Sequence, residues 1–300
     1  MDLNEAETRE KIIDPWLKRE GWRKEYIKVE VNSLKSDFKA KTYEEKKGEG
    51  KEEGRFIDYL LLDQHKNPLA LIESKRFSLD AEKGSIQATT YQKDIESQTG
   101  ITIPIFLTNG KKWYIKERGY PTREISGPFS QKDLERRSQL AKERQKLSNI
   151  GINPKIIDRS KNIEIAKQVL SHLEKGNKHA LINMATGTGK TRVALGIIES
   201  LMKARYIKNI LFVVDRISLG KQAFAAFDNS PLRDEPKTLL NEEGDFDMDK
   251  IIYISTVQTL MSKDSEKGHK FEKFSPGFFD LIVFDEAHRS YYDRQNLVNR

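Results

Sequence analysis

Apolar positions along the chain change period repeatedly, and each change predicts an element. Over 4–22 the residues Ile12, Ile13, Trp16 and Leu17 recur at helical spacing, behind a capping Asn4 and acids in the first turn. Pro15 falls inside that pattern and is expected to kink it. A short strand is expected over 26–31. The apolar runs 56–63 and 68–76 are separated by turn residues 64–67 and read as a hairpin. A helix over 79–97 follows, then strands at 103–110 and 111–117 about an Asn-Gly turn, giving the order α-β-β-β-α-β.

The second half alternates. Strand patterns at 209–215, 251–256 and 279–285 are separated by helices starting near Lys190 and Ile217, which predicts right-handed crossovers and a parallel sheet covered on both faces. Between the halves, 130–151 opens with Ser130 and Asp133 at capping-box spacing and continues as a charged surface helix. Its basic residues could meet phosphate, although a solvated face explains them as well. The segments 41–55, mixed in charge and glycine-bearing, and 228–250, acidic and turn-rich, read as loops.

Composition narrows the picture. At 300 residues, 37% of them hydrophobic, the chain can bury two cores. No apolar run is long enough to cross a membrane and no leader pattern is present, so the expectation is a cytoplasmic protein with no membrane partner. Absence of cysteine removes disulfides and Cys-type zinc sites. The excess of 53 basic over 46 acidic residues suits a polyanion such as DNA.

Candidate chemistry lies in both halves. In ALINMATGTGKTRVALGIIESL (180–201) an apolar run stops at a glycine-rich turn and resumes as a helix, the form of a phosphate-binding loop. Thr186, Gly187, Thr188 and Gly189 would bring backbone N–H groups to a polyphosphate, Lys190 would reach its outer phosphates, and Thr191 would sit on Mg²⁺. Met184 stands where the strict pattern has its first glycine. Further on, FDLIVFDEAHRS (279–290) ends an apolar run in Asp285 and Glu286, as a buried parallel strand does when its carboxyl end carries metal chemistry. Asp285 would hold Mg²⁺ through water and Glu286 would orient or deprotonate the attacking water, while His288 would report nucleotide state. These two motifs resemble the DEAH-type superfamily 2 helicases and translocases. At the strand ends, Asp215, Arg216, Ser218, Ser255, Thr256 and Gln258 suit either contacts to one DNA strand or helix caps.

In the first half, Asp58, Glu73 and Lys75 interrupt apolar strands. Residues two apart share a strand face, so Glu73 and Lys75 project together, and the hairpin can bring Asp58 beside them. Two carboxylates there would bind Mg²⁺, and the lysine could position or deprotonate a water attacking a phosphodiester. A solvated outer face is the alternative. Gln87 and Tyr91 share a face of the following helix.

Together these residues resemble the restriction (R) subunits of type I restriction-modification enzymes. The resemblance implies a PD-(D/E)xK nuclease-like mixed sheet flanked by helices at 1–128, a charged linker helix at 129–152, and at 153–300 a RecA-like parallel α/β P-loop domain, the first of two motor lobes. It assigns Asp58, Glu73 and Lys75 to the nuclease triplet, Gln87 and Tyr91 to its QxxxY helix, and a helper role to Glu5. It implies ATP and Mg²⁺ as cofactors, double-stranded DNA as substrate, and modification and specificity subunits as partners. Where the family carries an adenine-reading glutamine, the nearest residue is Asn162. With no second lobe and no arginine finger before Arg300, the chain is expected to bind ATP·Mg²⁺ but to hydrolyse it weakly. The different-class alternative is an ATP- and DNA-binding module without nuclease activity. A type III restriction helicase would carry its nuclease after the motor.

Overall fold

A computed structural model describes residues 5–33, 56–75, 85–185, 187–240, 247–264 and 268–286. Thr186, His288, the 41–55 loop and the start of the 79–97 helix lie outside the described residues, as does the side chain of Glu5. The chain divides into two compact units, Met1–Ser138 with Ser275–Gly277, and Gln139–Phe274 with Phe278–Arg300.

The first unit opens with α1 (Glu5–Thr8), a π-helical turn (Arg9–Ile13) and α2 (Asp14–Arg19). Pro15 has no N–H to give to the preceding turn, and a π-helical turn lies immediately before α2. Then come β1 (Ile27–Asn32), β2 (Phe56–Leu62), β3 (Pro68–Ser74), α3 (Ser85–Thr99), β4 (Ile105–Thr108), β5 (Trp113–Lys116) and β6 (Arg123–Ile125). They form one sheet in the order β1-β2-β3-β4-β5-β6, in which only β3 and β4 run parallel. It is a mixed sheet, as the resemblance implies. One face packs Ile13, Leu17, Trp22 and Tyr59, and the other packs Leu60, Leu71, Ala88, Tyr91 and Ile95, so the central hairpin is apolar on both sides. The Asn109–Gly110 turn holds: Asn109 accepts from two backbone N–H groups, and Gly110 takes φ +84°.

Helix α4 (Gln131–Glu143) is capped as expected, Ser130 Oγ accepting from the Asp133 N–H. It stops short of the predicted 151, and it is less superficial than its charge suggests, since Leu134, Leu140 and Asp133 are all buried. The division between the units falls inside this helix.

The second unit contains α5 (Ser160–Glu174), α6 (Lys190–Lys203), β7 (Ile210–Val214), α7 (Ile217–Asp228), β8 (Lys237–Leu239), β9 (Ile252–Thr256), α8 (Val257–Met261), a two-residue pair β10 (Lys263–Asp264) and β11 (Gly268–His269), and β12 (Leu281–Phe284). Its main sheet is parallel throughout, in the order β12-β7-β9-β8. Two findings differ from expectation. The 228–250 segment contributes β8, whose three residues are too few to show a period. And β12, expected to be buried, lies at the sheet edge with Ile282 and Phe284 half exposed. The apolar run before the phosphate loop has a strand's alternation of exposure over 181–184 but no strand pairing, and Leu181 is 91% exposed.

Candidate nuclease and nucleotide sites

In the first unit, antiparallel pairing of Tyr59 with Ile72 sets Asp58 opposite Glu73 at the open end of the hairpin. Asp58 Oδ2 accepts from the Ser74 N–H at 2.7 Å and from the Ser74 hydroxyl at 2.8 Å, while Lys75 Nζ donates to Glu73 Oε1 at 2.8 Å. Side-chain exposure is 17% for Asp58, 3% for Glu73 and 18% for Lys75. Buried Tyr91 faces the same three charges. Burial pushes its phenol above the ordinary tyrosine range, Glu73 and Asp58 push in the same direction, and the hydrogen bond from Gln87, at 2.5 Å, opposes them. Glu73 and Lys75 therefore meet and Asp58 stands across the hairpin, while Gln87 and Tyr91, which spacing alone pairs only with each other, lie near the same charges.

Two carboxylates at facing strand positions in a largely buried setting repel each other unless a cation screens them. Their hard oxygens suit Mg²⁺, which is usually held by one or two protein carboxylates plus water. The Asp58 and Glu73 pair fits that ion. Two positions that strand and helix patterns did not single out complete the surroundings. Arg9 lies 3.2 Å from Glu30 Oε1 and 3.7 Å from Asp58 Oδ1. Sequence alone assigns neither of them a role: pairing of β1 with β2 brings Glu30 to Asp58, and packing of the N-terminal helix on the sheet brings Arg9 there.

In the second unit, Gly187 and Gly189 take φ of +77° and +99°, a region that residues with a Cβ enter at a cost. Gly189 then caps α6, so Lys190 and Thr191 start the helix. Lys190 Nζ meets Glu286 Oε1 at 2.7 Å, bringing the loop and the end of β12 together. Burial raises the Asp285 carboxyl above the usual range and the Glu286 carboxylate adds to this, whereas a hydrogen bond from the Glu286 N–H and the nearby Lys190 oppose it. Glycine-enforced backbone, a helix N-terminus, one lysine and two acids fit a nucleotide polyphosphate with Mg²⁺. Asn162 Nδ2 donates to Thr188 O at 3.0 Å and Arg159 approaches the same carbonyl. Asn162 therefore braces the loop, a role that helix periodicity does not reveal.

Of the strand-end residues, Thr256 caps α8 by accepting from the Thr259 N–H, and Ser255 is buried. Arg216, Ser218 and Gln258 remain exposed. Among the described residues no cluster of three or more acids and histidines is placed to hold a metal, and no helix is long and apolar enough to cross a membrane.

Comparison with known proteins bears on both units. The EcoKI type I restriction enzyme endonuclease subunit of Escherichia coli K12 is 27% identical over 97% of this chain and 29% of that subunit. The EcoAI endonuclease subunit of Escherichia coli is 31% identical over 42% of this chain and 15% of that subunit. The chain is homologous to type I restriction endonuclease subunits. It spans less than a third of the length of these relatives. Residues 155–299 match the ResIII family, described as type III restriction enzyme, res subunit, so the second half is helicase-like. A solved fragment described as an HsdR subunit of a type I restriction enzyme from Vibrio vulnificus YJ016 is 23% identical and covers 98% of this chain and 54% of that one, with a TM-score of 0.35.

Proposed function

We propose that the chain is the nuclease and first motor part of a type I restriction subunit, which couples ATP-driven translocation along double-stranded DNA to Mg²⁺-dependent cleavage of both strands. The observation that carries this reading is the gathering of Asp58, Glu73 and Lys75 at the end of one hairpin, in a chain matched over 97% of its length by a type I endonuclease subunit. Asp58 and Glu73 would hold the ion. Bound there, Mg²⁺ supplies charge for the phosphodiester and lowers the pKa of a coordinated water. Lys75, held by Glu73, would orient that water, and Gln87 with Tyr91 would form the wall that positions the backbone. The second unit holds ATP between the 187–191 loop and the Asp285–Glu286 end of β12. A type III helicase accounts for the 155–299 match but leaves the acidic hairpin ahead of the motor without a role.

Modification and specificity subunits are the implied partners, and the cytoplasm is the implied compartment. Wild type and Asp58→Ala, each in the assembled complex with ATP, should differ completely in Mg²⁺-dependent cutting of plasmid DNA while translocating equally. Equal cutting by both would leave an ATP- and DNA-binding module whose Asp58, Glu73 and Lys75 are structural.

A further inference from the structure

Arg9 opens the π-helical turn, a local widening that often accompanies functional positions. Its Nη1 is shared between Glu30 Oε1 and Asp58 Oδ1, and its buried Nε–H finds no acceptor among the described residues. Glu30 lies on β1 between the pairs Val29 with Tyr59 and Val31 with Ile57, directly across from Asp58, and holds φ at +49°. A left-handed residue with a Cβ in mid-strand is unfavourable and persists where surrounding structure enforces it, commonly at a site. Because Ser74 takes Asp58 Oδ2, the oxygen left for a metal is Oδ1, the one that Arg9 faces.

We propose that Arg9 is a second cation of the cleavage centre, an inference that rests on the nuclease reading above. In the metal-free chain it neutralises Asp58. When Mg²⁺ takes Asp58, Glu30 keeps the guanidinium at the mouth of the site, where it meets the scissile phosphate. The charges support this: Asp58, Glu73 and Glu30 against Arg9 and Lys75 leave one negative charge, which a divalent ion and a phosphodiester together cancel.

The arrangement predicts opposite effects from removing its two ends. Arg9→Ala deletes a competitor for Asp58 and should tighten Mn²⁺ binding by about tenfold, read from the free-ion EPR signal, with Asp58→Ala as the blank for any other site. The same variant in the assembled complex should cut DNA about 10- to 100-fold more slowly, the range seen when groups around a metal site are removed. Glu30→Gln releases Arg9 onto Asp58 and should weaken Mn²⁺ binding. Damaged folding would weaken binding in both variants, so opposite signs identify the charge relay. Unchanged or weaker Mn²⁺ binding in Arg9→Ala, or unchanged cutting, overturns the role of Arg9 while Asp58→Ala stays inactive. If Asp58→Ala itself binds Mn²⁺ and cuts as wild type does, the nuclease reading has failed instead.

Discussion

The environment of Asp285 opposes its charge. Burial holds its carboxyl above the ordinary value, so the folded chain binds that proton more tightly than the unfolded chain does. The sign follows: this group favours the fold most at acid pH, below the unfolded value, and that contribution is lost as pH rises through the raised folded value. Holding Mg²⁺ requires the ionised form. The affinity gained by ATP when Mg²⁺ is added should therefore fall on acidification through the same raised range. Calorimetric titrations across acid pH are expected to show that decline in the wild type and a flat, weaker profile in Asp285→Asn. A wild-type profile as flat as the variant's would remove Asp285 from the metal. Lys190 is ion-paired with Glu286, so on the proposed nucleotide reading a triphosphate would have to draw Lys190 away from that carboxylate.

At the scale of elements, α6 ties the phosphate loop to the core of its unit, and Gly196 marks how closely it packs. A Cβ there would lie 2.5 Å from Ile157 Cδ1 and 2.8 Å from Ile157 Cγ1. Alanine gains roughly 1 kcal/mol of helix propensity over glycine, but overpacking a core costs typically 1–3 kcal/mol. Gly196→Ala is therefore expected to destabilise by about 1 kcal/mol in chemical denaturation, and adding Ile157→Val, which removes the nearest atom, should recover part of it. A stabilised single variant would show that Ile157 moves aside freely. The same packing explains what was legible in the sequence. Apolar period and turn chemistry located the hairpin, the Asn109–Gly110 turn, β7, β9 and α6, because those elements are set by local spacing. They could not locate β8, which is held by pairing with β9, or the edge position of β12, which depends on which strand lies beside it. No role could be read for Arg9 or Glu30 for a related reason: Glu30 reaches Asp58 through the register of β1 on β2, and Arg9 through packing of the N-terminal helix on that sheet.

At the scale of the whole chain, each unit has its own core and its own candidate ligand. Ile13, Leu17, Tyr59 and Phe106 build one, while Val193, Ile198, Phe212 and Ile254 build the other. A ligand raises the stability of the state that binds it, by about 2.7 kcal/mol at a hundred times its dissociation constant, and each kcal/mol moves the melting point of a domain this size by roughly 2–4 °C. Scanning calorimetry should then show two transitions. A non-hydrolysable ATP analogue with Mg²⁺ should raise the transition of the second unit by about 5–10 °C, and Lys190→Ala should abolish that rise. Mn²⁺ alone should raise the transition of the first unit, and Asp58→Ala should abolish that one. A single transition moved by either ligand would mean that the two cores do not unfold as separate cooperative units. If the analogue raised the transition that Asp58→Ala alters, the nucleotide would be held in the first unit, and the assignment of the 187–191 loop and β12 to nucleotide binding would have to be abandoned.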